Sequence, residues 1–445
     1  MSAATDRSRI QRAITLITGI VLIAATFLIE GVLRVPGMLK VVGIALVVFG
    51  CVLIGLGVVM PHDRVRSALA KSSLLLLSIL SVLGLAEATF RAIGFDFDIP
   101  NPAVPIFNRG PSVHIGDGVL RRPGPAVWRG RPLTSIIHFC WGNRDAYPDE
   151  QEIEVRYDKS GFRNPPSLAD WEVVVTGDSF VESGYLPYED IFTTLAAKRL
   201  GIRIKNLGVS DTGTIFQTAY VRKYGKALST RQAVLCFFDG NDVNDLVHES
   251  QETNFIRRTG HRMKHPKQTS LLAAVFERLE RLRQKPTSDK QEGLKPNATF
   301  VASSREHMVA IRPILPPRWE DLTKDRQDLV AAALTNWSVT VRSLGMQPWV
   351  MCIPDSRRVL NDRLHYVDTN NILAHWRASQ FGPHISKICA DIGIRFIDTY
   401  PALRREVEAG SVPYNLFVDA HLSRHGSHIV AQVMAKALGA DAQNR

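Results

Sequence analysis

A chain of 445 residues, 45% of them hydrophobic, is too long for a single compact core, because domains usually run to about 100–200 residues; two or three structural units are expected. A formal charge of +11 would suit a nucleic-acid partner, but the chain has no zinc-spaced Cys/His set, no Walker loop and no repeat of aromatic and basic residues. Nucleic-acid binding is set aside, and the positive excess is read as facing lipid headgroups or an acidic substrate.

The first hundred residues carry three apolar runs, at 13–33, 41–60 and 72–90. Each approaches the roughly 20 residues that cross about 30 Å of hydrocarbon. The first could be a signal peptide, but two more runs follow and no small-residue cleavage site stands behind it, so residues 1–94 are expected to form three transmembrane helices. Glu30 and Glu87 fall near span ends, where a carboxylate reaches the interface. Arg7, Arg9 and Arg12 precede the first run, Arg34 and Lys40 lie in the first loop, and Arg64, Arg66 and Lys71 lie in the second. This bias favours an N-terminus inside, which after three spans puts the rest of the chain outside the cytoplasm.

Residues 95–170, rich in Pro, Gly, Arg and Trp, read as a β-rich extension or linker. From 171 to 440 short apolar runs alternate with amphipathic stretches, the pattern of a parallel sheet covered by helices on both faces. Strands are expected at 172–176, 203–206, 233–238, 348–353 and 394–397. Helices are expected near 189–200, 214–228, 325–344, 380–392 and 424–438. A basic, Pro-punctuated insertion at 248–322, with one amphipathic helix near 271–282, reads either as a substrate lid or as partly disordered. Of the five cysteines, Cys51 lies in an apolar run and Cys236 and Cys352 lie in strand-like segments, leaving Cys140 and Cys389 free to form a bridge.

The chemistry-bearing segments follow strands. GDSF at 177–180 comes directly after EVVVT and puts a serine hydroxyl at a strand's carboxyl end, where ligands of such sheets bind. An isolated Gly-Asp-Ser is more often a turn or helix cap. Here NLGVSDTGT (206–214) follows the second strand, GNDVND (240–245) follows the third, and DAHLSRHG (419–426) precedes the last helix.

This ordered series resembles the SGNH (GDSL-like) hydrolase superfamily over about residues 160–440. The resemblance implies a flavodoxin-like three-layer α/β/α fold, here preceded by the transmembrane helices. It also implies a triad of Ser179 as nucleophile, His421 as base and Asp419 as the carboxylate that orients the imidazole. Asp419 could instead cap the following helix, but Ser423 is better placed for that. Oxyanion donors would be the Ser179 N–H, the Asn241 side-chain amide and an N–H of the loop after the second strand. The sequence departs from the family pattern there: Asp211 stands where a glycine is usual, with Gly213 as the alternative donor. It departs again in having Asp-x-His instead of Asp-x-x-His, a spacing similar to that of SGNH branches such as the alginate O-acetylation proteins. No cofactor and no metal is implied, since His425 and His428 read as helix-surface or packing residues.

Three functions are compatible with these residues. The first is a membrane-anchored serine esterase acting on an acyl ester, whose substrate could be an acylated carbohydrate. The second is an O-acyltransferase modifying a cell-surface or exported polysaccharide, and the third a non-catalytic binding or assembly module of the same fold. Three spans without clear polar pairs within the membrane argue against a transporter.

Overall fold

In the computed structural model, residues 105–108, 113–116, 119–135, 149–259, 297–302, 305–309, 315–368, 372–379, 381–415 and 420–443 are described. The three apolar runs, the helix expected near 271–282, Cys140 and Asp419 lie outside them. Among the described residues no helix is long and apolar enough to cross a membrane.

Five apolar runs form one parallel sheet: β1 Val173–Thr176, β2 Ile204–Asn206, β3 Gln232–Phe238, β4 Gln347–Ile353 and β5 Arg395–Asp398. The spatial order is β2-β1-β3-β4-β5, all parallel. This is a doubly wound order whose direction reverses between β1 and β3, so the loops leaving those two strands part and open a crevice at their carboxyl ends.

Alternation along the strands builds the two cores. Val173, Val175, Val234, Cys236, Met351 and Ile397 face one side, where they meet α2 (Phe192–Leu200), α7 (Tyr400–Glu408) and α8 (Arg424–Gln443). Val174, Ala233, Leu235, Phe237 and Val350 face the other, against α3 (Thr214–Tyr220), α4 (Asp242–Thr259), α5 (Lys324–Ser343) and α6 (Phe381–Asp391). Side chains such as Leu334, Met434 and Leu438 are almost fully buried, each stabilising the layers by roughly 1.5–3 kcal/mol. The short helix α1 (Ser179–Glu182) leaves β1 directly.

The five strands lie within one residue of their expected bounds. The helices differ more. The stretch expected at 214–228 is α-helical only to Tyr220 and continues as a wider π turn over Val221–Gly225. The segment Asp242–Thr259 is helical, so α4 runs into what reads from sequence as the start of an insertion. That insertion also contributes Ala298–Ala302, which pairs antiparallel with both Arg305–Val309 and Leu364–Tyr366 as the middle strand of a three-stranded sheet. Cys389 is a buried free thiol on α6, pushed up to about 12 by burial, and is no candidate for a bridge at the surface.

The region ahead of the sheet forms two antiparallel hairpins, Val113–Gly116 with Val119–Arg121 and Ala126–Gly130 with Ile153–Tyr157. Its side chains enter the domain. Arg122, Tyr157 and Arg163 are at most 1% exposed, and Phe107 packs edge-on against Tyr185.

Candidate active site

Ser179 is the first residue of α1, at the carboxyl end of β1. Asp178 caps that helix, its Oδ1 accepting the Phe180 N–H at 3.0 Å. On α8's side, Ser423 Oγ accepts the Gly426 N–H at 3.2 Å, the N-cap expected from sequence. Gly426 must lack a side chain because a Cβ there would fall 1.9 Å from the Pro413 carbonyl oxygen. These two caps fix the segments that carry Ser179 and His421. His421 Nε2 lies 2.8 Å from Ser179 Oγ across 242 positions of sequence.

The imidazole is held between two rings, with centroids 4.8 Å from Phe180 and 4.6 Å from Tyr185. Phe180 is itself stacked on Phe238, at the end of β3. The serine hydroxyl also lies 3.3 Å from Asp178 Oδ2, and His421 Nε2 is the closer acceptor for its proton. Asp419, expected to orient the ring, lies outside the described residues.

The loop after β2 is drawn tightly onto α1. Asn206 Nδ2 donates to Val181 O at 2.7 Å, and Val209 N donates to Gly177 O at 3.1 Å. A Cβ on Gly208 would come within 2.3 Å of Glu182 N, so only glycine allows this approach. Asp211 sits in the left-handed region at φ 61°, which explains why a glycine suits that position, and its side chain is exposed. Gly213 N donates to Glu249 Oε1 at 2.7 Å. The N–H of Gly213, the alternative oxyanion donor, is thus already donated to a carboxylate.

Asn241 follows β3, half-buried, and its Nδ2 donates to Asp245 Oδ2 at 2.7 Å. An amide nitrogen carries two hydrogens, so one remains for a reacting oxygen.

The carboxylates around the site are strongly perturbed. Burial raises Asp178 to about 6 against the Phe180 N–H and His421. Burial, then the charges of Asp178 and Asp211, raise Asp245 to about 7. Burial lifts Asp242 well above its ordinary range and takes Glu249 to about 8, although Glu249 accepts the N–H groups of Gly213, Ile215 and Phe216. Glu182 behaves in the opposite way: burial would raise it, but Arg122 and its other donors hold it below the usual range.

His425 and His428 lie on the exposed face of α8, the first 2.8 Å from Glu406 and the second 3.8 Å from Asp190. Sequence reasoning missed Glu182, Arg122, Tyr157, Asp245 and Glu249. The last two had a signal, because Asn241, Asp245 and Glu249 follow one another at helical spacing of four. Arg122 and Glu182, 60 residues apart, had none.

No protein-family model matches the chain, and no curated protein matches it. Among solved structures it is similar to a member of the lipolytic G-D-S-L family from Veillonella parvula, with 10% identity, 60% of this chain and 98% of that one covered, and a TM-score of 0.33. It is also similar to an acetylxylan esterase from Geobacillus stearothermophilus, with 13% identity, 60% and 94% coverage, and a TM-score of 0.33. A third is a carbohydrate esterase family 2 enzyme with its carbohydrate-binding domain from Corynascus thermopiles, with 11% identity, 62% and 68% coverage, and a TM-score of 0.31. Identities this low leave the chemistry to be argued from the residues of the site.

Proposed function

We propose that the chain is a serine esterase of the SGNH type, in which Ser179 attacks an acyl ester, His421 carries the proton and Asp419 orients the imidazole. The observation that supports it is the 2.8 Å approach of Ser179 Oγ to His421 Nε2, at the reversal point of a sheet ordered 2-1-3-4-5.

As the Ser179 Oγ–acyl bond forms, His421 Nε2 takes the hydroxyl proton and negative charge gathers on the carbonyl oxygen. The Ser179 N–H at the start of α1, the free hydrogen of the Asn241 amide and the Asp211 N–H are the donors assigned to that charge; each donor is worth on the order of 3 kcal/mol. Collapse breaks the ester bond, and the departing alcohol takes the proton from His421. Water then attacks the acyl-enzyme by the same steps in reverse order of proton transfer. A sugar hydroxyl in place of water would make the same site an O-acyltransferase. The substrate class is an acyl ester, with an acylated carbohydrate as the form to try first.

The anchor and its orientation belong to the same proposal, supported by the three apolar runs and the Arg and Lys residues beside them. A reporter active only outside the cytoplasm, fused after Arg445, is expected to be active; a silent fusion beside an active cytoplasmic reporter would reverse the orientation.

The catalytic proposal is tested by p-nitrophenyl acetate hydrolysis with the purified full-length chain and its Ser179→Ala variant, with and without an oligosaccharide acceptor. Loss of about 10³-fold or more in the variant is expected, and an acetylated acceptor would identify transfer. Equal rates in the two proteins would sink the assignment and favour a non-catalytic module.

A further inference from the structure

We propose that Glu182 is a positioning residue for the acyl-transfer chemistry, its carboxylate locking the loop that carries Asp211 onto the helix that carries Ser179. The inference rests on the esterase reading and adds to it a residue outside the segments GDSF, NLGVSDTGT, GNDVND and DAHLSRHG.

Glu182 ends α1, three residues after Ser179, and is wholly buried. Five hydrogen bonds converge on its two oxygens. Oε1 accepts from Arg122 Nε at 2.9 Å and Tyr157 OH at 2.5 Å. Oε2 accepts from Arg122 at 3.1 Å, from the Ser210 backbone N–H at 2.5 Å and from Ser210 Oγ at 2.6 Å. Every partner is a donor, so only a carboxylate, which accepts at both oxygens, satisfies the set; an amide would turn an N–H toward one of the donors.

A buried ion pair is by itself weak evidence of stabilisation, because apolar side chains of similar volume often serve as well. The carboxylate here does something apolar groups cannot do. It grips the backbone N–H immediately before Asp211, and Asp211 is held in a left-handed conformation that disfavours a non-glycine residue by about 1–2 kcal/mol. Such a conformation persists only where its surroundings over-determine it. Glu249 fixes the far end of the same turn through Gly213 N, so the Asp211 N–H is aimed by one buried carboxylate on each side.

The hairpin region clamps the other side of α1. Arg163 donates to the carbonyls of Ser183 and Leu186 beyond the helix end, and Arg122 also reaches the Phe107 carbonyl at 2.7 Å. The segment ahead of the sheet thus supplies the charge that lets Glu182 remain an anion at the base of the site.

The test uses the full-length chain and compares wild type, Ser179→Ala, Glu182→Gln and the double variant Arg122→Gln with Glu182→Gln in p-nitrophenyl acetate hydrolysis. Melting temperature and fluorophosphonate labelling of Ser179 are read on the same samples. Glu182→Gln is expected to lower kcat about 10- to 100-fold with KM within about twofold, and to slow labelling in parallel. The double variant removes both members of the Arg122–Glu182 pair and so leaves neither facing a lost partner, which keeps the measurement possible if the single variant does not fold; its kcat is expected to fall by a similar factor. A folded variant with kcat within threefold of wild type, or a loss that only tracks the folded fraction, overturns the inference while wild type stays active. Absence of Ser179-dependent turnover in wild type would instead remove the esterase reading and this inference together.

Discussion

Glu182 and Glu249 are both buried, both reach the loop after β2, and both accept backbone N–H groups from it. Yet Glu182 lies below its ordinary range while Glu249 is pushed up to about 8. The difference comes from what stands on the far side of each carboxylate. Glu182 faces Arg122, delivered by a hairpin from outside the sheet, whereas Glu249 faces three neutral backbone N–H groups with Asp245 close by. Three neutral donors do not offset burial; a guanidinium at 2.9 Å does. The Arg122–Glu182 pair beneath α1 is therefore charge-balanced, and the Asn241 side, with Asp242, Asp245 and Glu249, carries excess acid.

The largest expected effect breaks the balanced side. Arg122→Met leaves Glu182 buried without its cation, and loss of one partner of a buried pair costs about 3–5 kcal/mol. A denaturant midpoint unchanged from wild type would show that the pair does not hold the hairpins to α1. A smaller effect is expected on the acidic side, where the Asn241 side chain donates to Asp245. Asn241→Ala should lower kcat for an acyl ester by on the order of 10²-fold, about 2.7 kcal/mol, with little change in melting temperature. A loss confined to KM would take Asn241 out of the oxyanion role.

The contrast also marks how far the sequence could be read. The five strands were visible as apolar runs, and GDSF after EVVVT located the loop of Ser179 because a strand's carboxyl end is where such sheets react. The Ser423 cap was visible as a local pattern. Helix α7 escaped notice because Leu403 and Val407 are its only two buried residues. On the acidic side the four-residue spacing of Asn241, Asp245 and Glu249 lay in view. The balanced side was not legible, since Arg122, Tyr157 and Glu182 meet only through tertiary folding and no local period links them.

The smallest expected effect sharpens the comparison through pH. Asp245 titrates near 7 in the folded chain against an ordinary 3.8, so between those values the folded state holds a proton that the unfolded state has released. Its contribution to stability therefore falls as pH rises from about 4 to about 7 and is level above that. Glu182, lowered by Arg122, has the opposite sign: its contribution is present above the ordinary carboxylate pKa and is lost as pH falls through the folded value. Asp245→Asn removes the first slope and keeps the second. Melting curves from pH 4 to pH 8 should then lose that decline, with the acid-side loss intact. Parallel curves for wild type and variant would mean that Asp245 titrates in its ordinary range, and the acidic side would then be no less balanced than the side built on Arg122.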